Sequence, residues 1–134
     1  MKPSIFTQII NGVIPCHKIY EDANTFAFLD IYPLQPGHTL IVPKKQIEFV
    51  WDLNADDYQA VMLTTRKIAR QLRTVLGVPY VSERIVGIDV PHAHVQLIPF
   101  TTSDVLRNQQ DMTVEPDHAA LAELAARLRL PDEI

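Results

Sequence analysis

The run Val90-Pro91-His92-Ala93-His94-Val95-Gln96-Leu97-Ile98-Pro99 decides how this chain is read. Two histidines and a glutamine alternate with small or apolar residues. On an extended strand, successive side chains point to opposite faces. His92, His94 and Gln96 then share one face, and Ala93, Val95 and Leu97 share the other, toward a core. The pattern predicts a strand from Val90 to Phe100 bearing a row of polar side chains, next-nearest neighbours about 7 Å apart. Such a row suits nucleophilic attack on phosphorus, or metal binding; the plain alternative is a wet strand face with incidental histidines.

Composition narrows the setting. The chain has 134 residues, 47% hydrophobic and 21% charged, the proportions of an ordinary globular protein. One domain is expected over 1–134, with its core at about 4–100 and a C-terminal loop and helix at 101–134. Twelve basic and 16 acidic residues leave a net charge of −4. That argues against nucleic acid as a partner, but not against a small phosphorylated ligand, which a few backbone N–H groups can hold. Cys16 is the only cysteine, so no intrachain disulfide forms, which fits a reducing cytoplasm. A lone cysteine is usually a small buried hydrophobe. No stretch reaches the ~20 apolar residues of a membrane span, and the first residues lack an apolar signal core. A cytoplasmic protein without membrane contact is expected.

Along the chain, Ser4 reads as the N-cap of a short helix ending at Ile10. His17–Tyr20 and Thr25–Asp30 read as strands joined by a turn, and Thr39–Val42 as a buried strand after the rigid Pro33, Pro36-Gly37 loop. The clearest helix has Asn54 as N-cap and an apolar stripe through Tyr58, Val61, Met62, Thr65, Ile68, Leu72 and Leu76; it stops at Gly77. Val78–Val86 reads as a further strand and Pro116–Leu130 as a second helix. Strands and helices do not alternate as in a doubly wound fold. The prediction is an α+β fold, an antiparallel five-stranded sheet with one long helix and a C-terminal helix, the helices on one side. The stripe from Tyr58 to Leu76 offers a face for association.

The chemistry follows from residue type. To attack phosphorus, the His94 ring must be neutral near pH 7, which an ordinary histidine pKa of ~6.5 allows. One ring nitrogen attacks, while the other keeps its proton and needs an acceptor that fixes tautomer and direction. Gln96 can donate to a phosphate oxygen or accept through its carbonyl, but it cannot exchange a proton with a leaving group. For zinc, His92 and His94 supply two nitrogens, and Cys16, His17, His38 and Asp89 are the remaining candidates, none at a ligand spacing. His17 and His118 read as exposed side chains without a role. His38 reads either as a satisfied structural histidine or as a site residue.

Several segments together resemble the histidine triad (HIT) superfamily over about residues 4–100. They are Ile5-Phe6, Ile9 to Pro15, Tyr20-Glu21-Asp22, Ala27 to Ile31, Pro33, Pro36-Gly37-His38, Leu40 to Lys44, and the opening run. The resemblance implies a homodimer with a sheet continuous across two subunits. It also implies a nucleotide-binding hydrolase acting at the α-phosphorus of a nucleoside phosphate, phosphoramidate or dinucleoside polyphosphate through a nucleotidyl-histidine intermediate. By position, His94 matches the nucleophile, His92 the first triad histidine, and His38 a further histidine near the site. Asp30 matches the acidic residue on the ribose hydroxyls. Ile5, Phe6, Ile9, Ile14, Phe28 and Ile31 match the apolar slot for the base. No cofactor is expected.

Three departures stand out. Gln96 replaces the third histidine; this H-x-H-x-Q form resembles the galactose-1-phosphate uridylyltransferase branch, whose remaining length is absent here. It opens two alternatives, a nucleotidyl transferase or a catalytically weak nucleotide-binding module. Asp89 falls where a Ser or Thr hydroxyl helps bind phosphate in relatives, and a carboxylate there repels phosphate unless it turns away. Finally, the places of a structural zinc's two cysteines and one histidine hold Ser4, Thr7 and Gln46, so no metal is expected.

Overall fold

The computed structural model describes residues 1–134. In chain order it forms α1 (Ile5–Ile10), β1 (Lys18–Glu21), β2 (Thr25–Leu29), β3 (Thr39–Pro43), α2 (Ala55–Leu76), β4 (Tyr80–Arg84), β5 (Val95–Phe100) and α3 (His118–Leu128). Short 3-10 turns lie at Val50–Asp52 and Ser103–Arg107. The strands make one antiparallel five-stranded sheet in the order β1-β2-β3-β5-β4, the α+β architecture expected.

Local chemistry sets the helix ends. The Ser4 hydroxyl accepts from the Thr7 N–H, and the Asn54 side chain from the Asp57 N–H, satisfying donors that a first turn leaves open. Gly77, at φ +66°, closes α2 in the left-handed conformation. The last helix begins at His118, later than the Pro116 expected, because Asp117 caps it through the Ala120 N–H.

β2 and β3 are buried at every position because both faces of the sheet are covered. Ala27, Leu29, Ile41, Val95 and Leu97 pack with Val61, Ile68 and Leu72 of α2 and with Leu121, Ala125 and Leu128 of α3. On the opposite face, Phe26, Phe28, Leu40 and Val42 pack with Phe6 of α1. The helices therefore do not all lie on one side. The period of two gives each face its own apolar set, and Phe6 claims the second. The α2 stripe is spent on the chain's own sheet, with Val61, Thr65, Ile68 and Leu72 all buried, so it is not an association face.

The strand expected from Val90 to Phe100 is shorter. It starts at Val95, where pairing with β3 ends at Ile41↔Val95 and pairing with β4 ends at Arg84↔Gln96. Pro91 has no N–H to give a ladder. The His92 N–H turns back to the Val90 carbonyl at 2.8 Å, and the Ala93 N–H bonds Ile47 O at 2.7 Å. His92 and His94 thus stand on an irregular approach to the strand, not on the strand itself.

Gly37 places His38. Its φ is +95°, and a Cβ there would come within 2.8 Å of Leu76 Cδ1 and 3.0 Å of Pro99 Cγ. Gly37→Ala is expected to lower the free energy of unfolding by about 2 kcal/mol or more, from backbone strain and overpacking together. Urea denaturation measures this; an unchanged midpoint would contradict the close approach.

Candidate active site

All of the sequence-predicted site residues except His38 and His92 line one cavity of about 340 Å³, within the range of small-molecule sites. Ile5, Phe6, Ile9, Ile14, Phe28 and Ile31 make it largely apolar, while Asp30, His94 and Gln96 supply polar groups. Asp89 is solvent-exposed at its edge. His38 and His92 lie behind the wall, both fully buried.

The hydrogen bonds fix the protonation of each ring. His94 Nδ1 lies 2.8 Å from the His92 carbonyl oxygen. A carbonyl only accepts, so Nδ1 carries the proton and, in the neutral ring, Nε2 carries the lone pair. The edge of Phe6 packs against the His94 ring, centroids 5.1 Å apart at 80°. The His92 ring is clamped at both nitrogens. Its Nε2–H donates to the Pro43 carbonyl at 2.7 Å, leaving Nδ1 to accept from the Ser4 hydroxyl at 2.7 Å. Ser4 in turn is tied to Gln46, whose Oε1 accepts from the Ser4 N–H and the Thr7 hydroxyl, each at 2.8 Å.

Ser4, Thr7 and Gln46, the places that would carry zinc ligands in relatives, are thus brought together around His92. As a donor set they do not fit that metal. They are neutral hydroxyls and an amide, satisfied by one another and by the ring, where structural zinc takes thiolates and imidazoles. No group of three or more His, Cys, Asp or Glu is placed to hold a metal elsewhere. His92 and His94 also do not share a ligand sphere with Cys16, His17, His38 or Asp89.

His38 sets the orientation of Gln96. The Leu34 N–H donates to His38 Nδ1 at 3.1 Å, so the ring proton sits on Nε2 and donates to Gln96 Oε1 at 3.0 Å. The Gln96 amide nitrogen is then left to face the cavity as a donor. Asp30 Oδ2 lies 3.8 Å from His38 Nε2, and Asp30 Oδ1 accepts from the Tyr32 N–H at 2.8 Å.

Tyr32, Gln110 and Met112, which no sequence signal singles out, also line the cavity, as do Cys16, Leu40 and Val90. Burial pushes the Cys16 thiol up, which makes it a poor nucleophile. Arg84, paired with Gln96 across β4 and β5, puts a cation on the same sheet face; the alternation of β4 was the available signal. His17 and His118, both expected to be exposed and without a role, approach at 2.9 Å between Nε2 and Nδ1; His118 is exposed, but His17 is half-buried. Separated so far in sequence, they offered no local signal.

The family model described as HIT domain matches residues 11–102. An uncharacterised HIT-like protein of Mycoplasma genitalium is 38% identical over 100 residues, 71% of each chain. The crystal structure of a HIT-like protein of Bartonella henselae, involved in cell-cycle regulation and holding an unknown ligand, superposes with a TM-score of 0.82 at 27% identity, covering 94% of this chain and 93% of that one. A HIT family hydrolase of Legionella pneumophila superposes with a TM-score of 0.57 at 34% identity, covering 70% and 89%.

Burial pushes His38 and His92 below the ordinary histidine pKa; the Asp30 charge opposes this for His38, and the Pro43 carbonyl for His92. The folded protein therefore binds their protons less readily than the unfolded chain. Their contribution to stability is full above the unfolded value of about 6.5. It is lost as pH falls below that value, at about 1.4 kcal/mol per pH unit for each proton taken up. Urea unfolding across about pH 7.5 to 5 should follow this fall, with a shallower slope in His38→Gln. An identical slope in wild type and variant would contradict the assignment.

Proposed function

Because the chain belongs to the HIT domain family, we propose that it binds a nucleoside phosphate in this cavity and breaks a bond at the α-phosphorus through His94. The observation that carries the reading is the 2.8 Å bond from His94 Nδ1–H to the His92 carbonyl, which leaves Nε2 as the attacking atom at the cavity wall. Asp30 accepts a hydrogen bond from the ribose, and the apolar slot of Ile5, Phe6, Ile9, Ile14, Phe28 and Ile31 takes the base. His92 and His38 are positioning residues, the first for His94 and the second for Gln96.

In the step proposed, Nε2 forms a bond to phosphorus while the bond to the leaving group breaks, and the leaving group takes that electron pair. Nδ1 keeps its proton, so the adduct is a phosphorylated imidazolium whose N–H stays on the His92 carbonyl. The Gln96 amide donates to a non-bridging phosphate oxygen as charge builds there. Water or a second phosphate then attacks phosphorus, Nε2 departs as the neutral ring, and the attacking oxygen loses its proton to solvent. Gln96 has no proton to hand to a leaving group. The site therefore favours groups that depart as stable anions, such as phosphates, over amines, and it admits transfer to a phosphate acceptor as well as hydrolysis.

The edge strand β4 ends beside exposed Tyr80, Val86 and Ile88. An open edge with apolar neighbours supports pairing with a second copy, and we propose a homodimer. No helix is long and apolar enough to cross a membrane, and the chain is proposed to work in the cytoplasm.

His94→Ala is expected to lower turnover of nucleoside polyphosphates by about a thousandfold or more while nucleotide binding by calorimetry persists. Unchanged turnover would overturn the reading; binding without turnover in the wild type would reduce it to a binding module. Among substrates, polyphosphates should exceed nucleoside phosphoramidates of alkyl amines by on the order of 10²–10⁴ in kcat/KM, the worth of the missing proton transfer. Gln96→His should narrow that gap. Equal rates on both classes in the wild type would contradict the role given to Gln96.

A further inference from the structure

Beyond the matched residues 11–102, the loop between Ser103–Arg107 and α3 returns to the cavity and places Gln110 and Met112 in its wall. The Gln110 amide nitrogen donates to Asp30 Oδ2 at 2.9 Å and to the Tyr32 carbonyl at 2.9 Å. Both contacts are acceptors, so both amide hydrogens are committed and the orientation of the amide is decided. Its oxygen, Oε1, has no protein partner, and no buried side-chain oxygen in the molecule lacks one, so Oε1 is open to solvent. The Asp30 carboxylate is held at both ends, by the Tyr32 N–H on Oδ1 and by Gln110 on Oδ2, with one acceptor position left on each oxygen.

A fixed carboxylate and a fixed amide oxygen side by side form a pair of acceptors. A vicinal diol presents a matching pair of donors. We propose that Gln110 is a specificity-determining residue for the sugar: Gln110 Oε1 accepts one ribose hydroxyl while Asp30 accepts the other, so that the pair reads ribose against deoxyribose. This rests on the nucleoside phosphate reading of the cavity. It assigns the C-terminal loop a part in recognition. A 2′-deoxyribose loses one hydrogen bond of the pair and sets a CH₂ against its acceptor, displacing the solvent that reaches it in the free protein.

The test is calorimetric titration with the four nucleoside 5′-monophosphates and their 2′-deoxy and 3′-deoxy counterparts. Wild type should prefer the ribonucleotide by about five- to tenfold over at least one deoxy form, the worth of one hydrogen bond. Gln110→Ala and the longer Gln110→Met should bring that ratio close to one by weakening ribonucleotide binding more than deoxynucleotide binding. Thermal melts of both variants keep a folding defect apart from a loss of selectivity. If both variants retain the wild-type ratio, the assignment of Gln110 is overturned while the nucleotide reading stands. Tighter binding of ribo and deoxy forms alike would also overturn it, marking Gln110 as an obstruction. If the wild type binds no nucleoside monophosphate, the nucleotide reading fails and this assignment with it.

Discussion

The site depends on a histidine whose ring never meets the cavity. His92 is held at Nε2 by the Pro43 carbonyl and at Nδ1 by the Ser4 hydroxyl, both at 2.7 Å. A ring pinned at two ends fixes its own backbone, and that backbone carbonyl orients His94. Removing either support leaves a buried polar atom unpaired, which costs about 1–3 kcal/mol and loosens the approach to β5 where His94 stands. The Pro43 end belongs to β3 and the Ser4 end to the cap of α1, so the clamp joins the sheet to the first helix through one side chain.

The two-faced sheet explains why this arrangement is possible. Alternation on β2 and β3 sends one apolar set to α2 and α3 and the other to α1. The α1 side is the thinner layer, and its helix is short. There the packing stops before the surface closes, and the gap is the cavity. Phe6 serves both purposes, filling the core below and lying edge-on to His94 above. Ser4, Thr7 and Gln46 tie this region to His92 with neutral hydrogen bonds. Such a tie needs no metal-binding charge and no reduced thiols.

Features carried by a few neighbouring residues were legible from sequence. The caps at Ser4, Asn54 and Gly77 are one-turn signals, and the apolar run Leu40-Ile41-Val42 marks β3 as a buried strand. The apolar slot and Asp30 were legible only through resemblance, because nothing local distinguishes a base slot from plain core. The start of β5 is not legible in the alternation, because Pro91 has no N–H for a ladder and the next two N–H groups bond the Val90 and Ile47 carbonyls instead. The bond from His38 to Gln96, 58 positions apart, the closure of Gln46 on Ser4, and the return of Gln110 to Asp30 depend on how distant segments meet. Residue type allows each of them and predicts none.

The proposed intermediate is covalent, with His94 Nε2 carrying the nucleotidyl group during turnover. Rapid acid or base quench of enzyme mixed with α-labelled nucleoside polyphosphate, followed by peptide mapping, tests it directly. Label is expected on the peptide containing His94, appearing before free product and absent from His94→Ala. Full turnover with no label on the protein at any quench time, or label on another residue, would contradict it.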